Sequence, residues 1–132
     1  MTVRPVCTIL LLDDEPLILM DLEFAAQDEG CRSLCATTAG QALSFLAGAE
    51  RIDVAVLDVT LQNGETCLPV ARELQRLRIP YLLHSGDLDR RYQTVRELDS
   101  ELIAKPACSS RVIRRAMSYV GQRPDMRITG VD

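Results

Sequence analysis

Five short apolar runs punctuate the chain: TILLL at 8–12, CRSLCA at 31–36, VAVL at 54–57, YLLHS at 81–85 and LIA at 102–104. Each predicts a strand. Between them, apolar residues recur at helical spacing. Ile18, Leu22 and Ala25 stand at i, i+4, i+7, as do Val70, Leu74 and Leu77, and again Leu88, Tyr92 and Val95. Ala42, Phe45, Leu46 and Ala49 give a short helix within 39–49, and Val112, Ile113, Ala116, Met117 and Val120 make a broader stripe near the C-terminus. Pro16 suits a first helical turn with acids just before it. Gly30, Gly48 and Gly121 follow helical stretches as expected stops. Pro69 fits only a helix that begins near Thr66 or Cys67.

Alternating strands and helices predict an α/β fold with a parallel sheet. The first, third and fourth strands are nearly continuous apolar runs, as a sheet covered on both faces requires, while the more polar second strand belongs at an edge. Right-handed crossovers then give a flavodoxin-like, doubly wound (βα)5 arrangement with strand order 2-1-3-4-5. The expected division is one domain over residues 1–121 and a C-terminal tail over 122–132, with no repeat, linker or low-complexity segment.

Composition narrows the function classes. The 132 residues are 47% hydrophobic and 26% charged, ordinary values for a globular chain with room for a core. No apolar stretch approaches the roughly 20 residues of a membrane span. The N-terminal apolar run is too short for a signal peptide and is followed by acids, so a cytoplasmic location is expected. The five cysteines, Cys7, Cys31, Cys35, Cys67 and Cys108, are odd in number and form no C-x-x-C pair. Cys31 and Cys35 would lie on one face of a strand about 13 Å apart at ~3.3 Å per residue, too far for a disulfide. Structural thiols are the expectation, and with one histidine a zinc site is not.

The net charge of −4 hides an asymmetry: residues 1–66 hold eleven acids against three arginines, and residues 67–132 eight acids against twelve bases. A globally basic footprint for nucleic acid is absent. The split points to a cation site on one side and an acidic partner on another.

The candidate chemistry lies where the strands end. In a parallel sheet all strands finish at one edge, and ligands bind there at the point where the winding reverses, between the first and third strands. The first strand ends in Asp13-Asp14-Glu15, the third in Asp58, the fourth in Ser85-Gly86 and the fifth in Lys105-Pro106. Lys105 is the single lysine among fifteen basic residues. Three carboxylates in one crevice repel each other unless a cation is present. An oxygen-rich, water-accessible site suits Mg²⁺. Asp58 can act as a nucleophile forming an aspartyl phosphate, with Mg²⁺ and the compact Lys105 ammonium stabilising charge on the phosphoryl oxygens. Ser85 offers a hydroxyl to one of those oxygens. Singly, each piece has a simpler reading: an acidic pair capping a helix, a loop carboxylate, a turn serine, a solvated lysine. Their distribution, one type per strand end, favours the joint reading.

With LLLDDEP, VAVLD, LLHSG and LIAKP in this order, residues 7 to about 121 resemble a receiver domain of bacterial two-component response regulators. The stretch VLDVTLQNGETCLPVARELQRLRIPYLLHSG looks closer still to small stand-alone receivers. The resemblance implies that Asp58 accepts a phosphoryl group from a sensor histidine kinase or phosphotransfer protein. It implies Asp14 and Asp58 as direct Mg²⁺ ligands, Asp13 acting through water, and the Thr60 carbonyl completing the set. Ser85 would take the switch hydroxyl role, and Lys105 would contact the phosphoryl group, followed by a cis bond to Pro106. Such a chain is not an enzyme acting on other substrates; it catalyses only its own phosphorylation and dephosphorylation.

The sequence also departs from the family. Leu102 stands where receivers usually carry Tyr or Phe, so the usual aromatic switch is not available; Tyr81 and Tyr92 are the candidate substitutes. The loop VTLQNGET lacks the common proline. His84 reads as a packed strand residue, with tuning of phosphate lifetime as the sharper alternative. Receivers signal through the face of the fourth helix, fifth strand and fifth helix. Here that face would carry Arg90, Arg91, Arg96, Arg111, Arg114 and Arg115, suited to an acidic diffusible protein partner or a dimer mate, so both monomer and homodimer stay open. Output would then come from that partner, from phosphate shuttling, or from draining phosphate off a shared kinase. Two other readings compete. A pseudo-receiver that takes no phosphate draws on Leu102. An aspartate-nucleophile phosphohydrolase would want a second acid where Thr60 stands.

Overall fold

A computed structural model of the chain describes residues 7–86, 98 and 100–120. Its elements are β1 (Thr8–Leu12), α1 (Pro16–Asp28), β2 (Arg32–Ala36), α2 (Ala39–Ala47), β3 (Val54–Leu57), a short 3-10 turn (Gln62–Gly64), α3 (Leu68–Leu77), β4 (Tyr81–Ser85), β5 (Leu102–Ala104) and a C-terminal helix, α4 (Ser109–Met117). The helix expected at Leu88, Tyr92 and Val95 lies outside the described residues, as do Arg90, Arg91, Arg96, Gly121 and the expected tail.

The five strands form one parallel sheet in the order β2-β1-β3-β4-β5, the doubly wound arrangement expected from the alternation of apolar runs. β1 pairs with β2 on one side and β3 on the other, so the winding reverses at β1 and β3. Alternate side chains of each strand enter opposite layers. Leu10, Leu12, Ala55, Leu57 and Leu83 pack with α2 and α3. Ile9, Leu11, Val54, Val56, Leu82 and Ile103 pack with α1 and α4. This two-sided burial is why the runs at 9–12 and 54–57 carry no polar residue until β1 and β3 end.

Local signals explain the boundaries. Pro16 occupies the first turn of α1, whose buried face runs through Leu19, Leu22, Ala25 and Ala26, leaving Leu17, Met20 and Phe24 exposed. The chain leaves α1 through Gly30 at φ 81°, a left-handed conformation that costs glycine little. The Thr38 side chain accepts from the Gln41 N–H and caps α2. Gly48 ends α2 in extended backbone, so its role there is not conformational freedom. α3 starts at Leu68, which places Pro69 in the tolerated first turn. It ends on Arg78 in a left-handed conformation, φ 61°, a stop that no glycine announces. Among the described residues no helix is long and apolar enough to cross a membrane.

Candidate phosphoacceptor site

Four strand ends build the site. After Leu12, Asp13 donates its backbone N–H to the Ala36 carbonyl at 3.1 Å; after Leu57, Asp58 donates its own to the Leu12 carbonyl at 2.8 Å. These bonds extend the sheet ladder by one residue and fix both carboxylates at its carboxyl edge. Asp13 is 1% exposed and Asp58 6%. The Asp13 carboxylate accepts from the Glu15 N–H through Oδ1 at 2.9 Å, which shapes the turn into α1 and leaves Oδ2 free for another partner. That partner is Lys105 Nζ at 3.0 Å. The same ammonium reaches Asp58 Oδ2 at 3.4 Å and Glu15 Oε1 at 2.9 Å. Lys105 is itself set by its backbone N–H on the Ser85 carbonyl at 2.9 Å and is followed by a cis bond to Pro106.

The expected residues thus converge. Asp13, Asp14 and Asp58 present ligand atoms all within 4.8 Å of one another. Asp14, Glu15, Asp58, Thr60, Leu61, Ser85, Gly86 and Lys105 line a cavity of about 380 Å³. Asp13 does not reach its wall; it sits behind, held by Glu15 and Lys105. Ser85 is buried and lines the cavity, and Thr60 is held by an isolated bridge to Thr66.

The electrostatics follow from burial. Desolvation, then the charge of Asp13, pushes Asp58 up to about 7 despite the opposing pull of Lys105. Burial likewise raises Asp13 above the usual carboxylate range, against its hydrogen bonds from Glu15 and Lys105. For Lys105 burial works downward, but the hydrogen bonds to Glu15 and Asp13 and the charge of Asp58 outweigh it and hold the ammonium above its ordinary value. One buried cation faces three acids, so the edge carries excess negative charge, and a divalent cation with oxygen preference fits this donor set.

Glu15 is the site residue that sequence reasoning assigned no role. Its signal was present as the third acid of Asp13-Asp14-Glu15, but its bond to Lys105 joins β5 to the start of α1, which no local pattern reveals. His84 is a packed strand residue: it is buried beside Ile103, neither ring nitrogen has a partner among the described residues, and burial followed by the charge of Lys105 lowers it to about 4. Leu102 is half-buried against the α2/α3 layer. Tyr81 packs on the same layer and takes a hydrogen bond from Gln75 Nε2 at 2.9 Å; Tyr92 lies outside the described residues.

Of the expected output residues, Arg114 pairs with Glu29 at 2.9 Å and Arg115 with Glu101 at 2.8 Å. Arg111 joins them around an open groove of about 460 Å³ beside β5. Tyr119, a further residue not anticipated, donates its hydroxyl to Glu101 and lies under the Arg115 guanidinium, 5.3 Å from the ring centre.

No family model matches the chain, and no curated protein does. Solved structures match over most of its length. SdrG from Sphingomonas melonis Fr1 is 30% identical, with 88% of this chain and 97% of that one covered and a TM-score of 0.72. A response regulator receiver protein from Sinorhizobium medicae WSM419 is 25% identical over 85% of this chain and 94% of its own, also with a TM-score of 0.72. TrrA, a response regulator protein of Thermotoga maritima whose structure is a complex with Mg(2+)-BeF, is 24% identical over 87% of this chain and 100% of its own, with a TM-score of 0.72. With the doubly wound sheet and the acid and lysine strand ends already in place, these likenesses identify the chain as a member of the response-regulator receiver domains.

Proposed function

We propose that the protein is a cytoplasmic phosphoacceptor of a two-component pathway. Asp58 takes a phosphoryl group from a sensor histidine kinase or a histidine phosphotransfer protein. The observation that carries this reading is the placement of Asp58, buried at a strand end, within 3.4 Å of Lys105 and clustered with the carboxylates of Asp13 and Asp14 at a cavity mouth.

In the transfer an Asp58 carboxylate oxygen attacks phosphorus, the nitrogen–phosphorus bond of the donor breaks, and the imidazole leaves and is protonated. Asp14, Asp58 and the Thr60 carbonyl would hold Mg²⁺, with Asp13 acting through water; the ion neutralises charge on the phosphoryl oxygens when bound. The Mg(2+)-BeF complex of TrrA supports a ligand of this kind. Lys105 supplies the second positive charge, released from Glu15 and Asp13 to meet the phosphoryl group. Ser85 donates its hydroxyl to a phosphoryl oxygen. The resting edge carries excess negative charge, which a divalent cation would offset when bound. Asp58 serves only its own phosphorylation and the hydrolysis that reverses it. The phosphorylated form changes affinity for a diffusible protein partner, or passes the phosphoryl group on.

The test is intact mass after incubation with a small phosphodonor, with and without Mg²⁺, on the wild type and Asp58→Asn. A single phosphoryl adduct that needs Mg²⁺ and is absent from the variant is expected. A folded protein with no adduct in Mg²⁺ would point instead to a pseudo-receiver.

A further inference from the structure

Cys7 immediately precedes β1 and Cys31 immediately precedes β2. The register pairs Thr8 with Arg32, which sets the two cysteines opposite each other across the ladder, and the Arg32 N–H donates to the Cys7 carbonyl at 2.9 Å. Neighbouring strands run about 4.8 Å apart, inside the roughly 4.4–6.8 Å range of Cα separations that disulfides span. Both side chains point into the α1/α4 layer, and their sulfurs lie 3.0 Å apart. A buried thiol is ordinarily a small hydrophobe, which accounts for each cysteine alone. It does not account for two thiols in contact across a parallel ladder, at a strand spacing that a disulfide can span.

We infer that Cys7 and Cys31 are a disulfide-forming pair: a small-molecule disulfide oxidises them to an internal bond that staples the start of β1 to the start of β2. In the first step one protein sulfur attacks a sulfur of the reagent, forming a mixed disulfide and releasing one reagent thiol. In the second, the other cysteine attacks the first protein sulfur, the Cys7–Cys31 bond forms and the second reagent thiol leaves. Two protein S–H bonds are lost and the reagent disulfide is reduced to two thiols. The pair lies at the opposite end of β1 from Asp13, so the reaction does not involve the carboxyl edge. Burial, then the bond to Cys31, pushes the Cys7 thiol up to about 12. Thiolate is therefore scarce and exchange slow, which makes the equilibrium rather than the rate the right readout.

The full chain is held in glutathione buffers of graded oxidised-to-reduced ratio until its composition is constant, then quenched in acid, unfolded, alkylated and mapped. Cys35, Cys67 and Cys108, which are free as well, serve as internal references. The expected product has lost two hydrogens, joins the Cys7 and Cys31 peptides, leaves Cys35 and Cys67 alkylated and melts at a higher temperature than the reduced protein. Because the fold holds the sulfurs together, the bond should form at a ratio at least ~100-fold more reducing than in the same chain unfolded by denaturant. Cys7→Ala should leave Cys31 alkylated or as its glutathione mixed disulfide, and joined to no other cysteine. Alkylation of both cysteines in every buffer, or equal pairing in the folded and unfolded chains, would overturn the assignment; the wild-type map decides this even where the variant does not fold.

Discussion

At its start β1 sets Cys7 beside Cys31, two uncharged side chains against an apolar layer; at its end it sets Asp13 against Lys105 and Asp58, equally deep. The thiols enter the interior without a charge to desolvate. The carboxylates do not: Asp58 stays well above its ordinary value even with Lys105 in reach. Burying carboxylates near one another weakens a fold, and nothing in the packing of β1 and β3 requires it. One end of the strand is compatible with maximal stability, and the other gives some stability up for chemistry.

That contrast can be broken or sharpened by substitution, each variant measured by denaturant unfolding without divalent cations. Between the two ends the strand should behave as plain core. Leu10→Ala, at a position 0% exposed, should cost about 3 kcal/mol through lost burial and the cavity left behind.

Asp58→Asn should do the reverse and stabilise at neutral pH by about 2 kcal/mol, since it removes a buried charge whose cost Lys105 only partly offsets. The sign follows from linkage. The folded carboxyl holds its proton up to about pH 7, the unfolded one only to about 3.8, so its contribution to stability falls as pH rises through that window. The advantage of Asp58→Asn over the wild type should be absent below about pH 4 and complete above about pH 7. His84, lowered to about 4, works with the opposite sign, stability rising with pH between its folded value and its ordinary 6.5. Both proteins share it, so it cancels in the difference. An advantage that does not change with pH would mean that Asp58 does not carry the strain.

Lys105→Met should destabilise by about 1–2 kcal/mol at pH 7, because Asp13 and Asp58 lose their shared cation. Added Mg²⁺ should recover more stability in this variant than in the wild type. Glu15→Gln should change stability least, by less than about 1 kcal/mol, since Glu15 is largely solvated; its effect should appear in the rate of phosphoryl uptake, measured by quenched mass spectra.

Much of this is legible in the sequence. The apolar runs at 9–12 and 54–57 stop where β1 and β3 stop, because a sheet buried on both faces tolerates few polar residues before its edge, so Asp13 and Asp58 mark that edge by their chemistry; Ser85 closes β4 and Lys105 follows β5. What stayed hidden was set by register and crossover. The Cys7–Cys31 contact spans 24 residues and exists only because Thr8 aligns with Arg32. The bond from Glu15 to Lys105 spans 90. The stop of α3 at Arg78 uses a left-handed residue that carries no glycine signal. Spacing reports faces within one element; which element lies beside which, and at what offset, is a property of the assembled sheet.

The most direct measurement is the location of the phosphoryl group. After reaction with a small phosphodonor in Mg²⁺, borohydride reduction converts an aspartyl phosphate to homoserine, and peptide sequencing by mass spectrometry reads the position. Homoserine at residue 58 and at no other position is the predicted result. Homoserine at another aspartate, or none from a folded protein with Mg²⁺ present, would contradict the claim that the charged end of the sheet is built around Asp58.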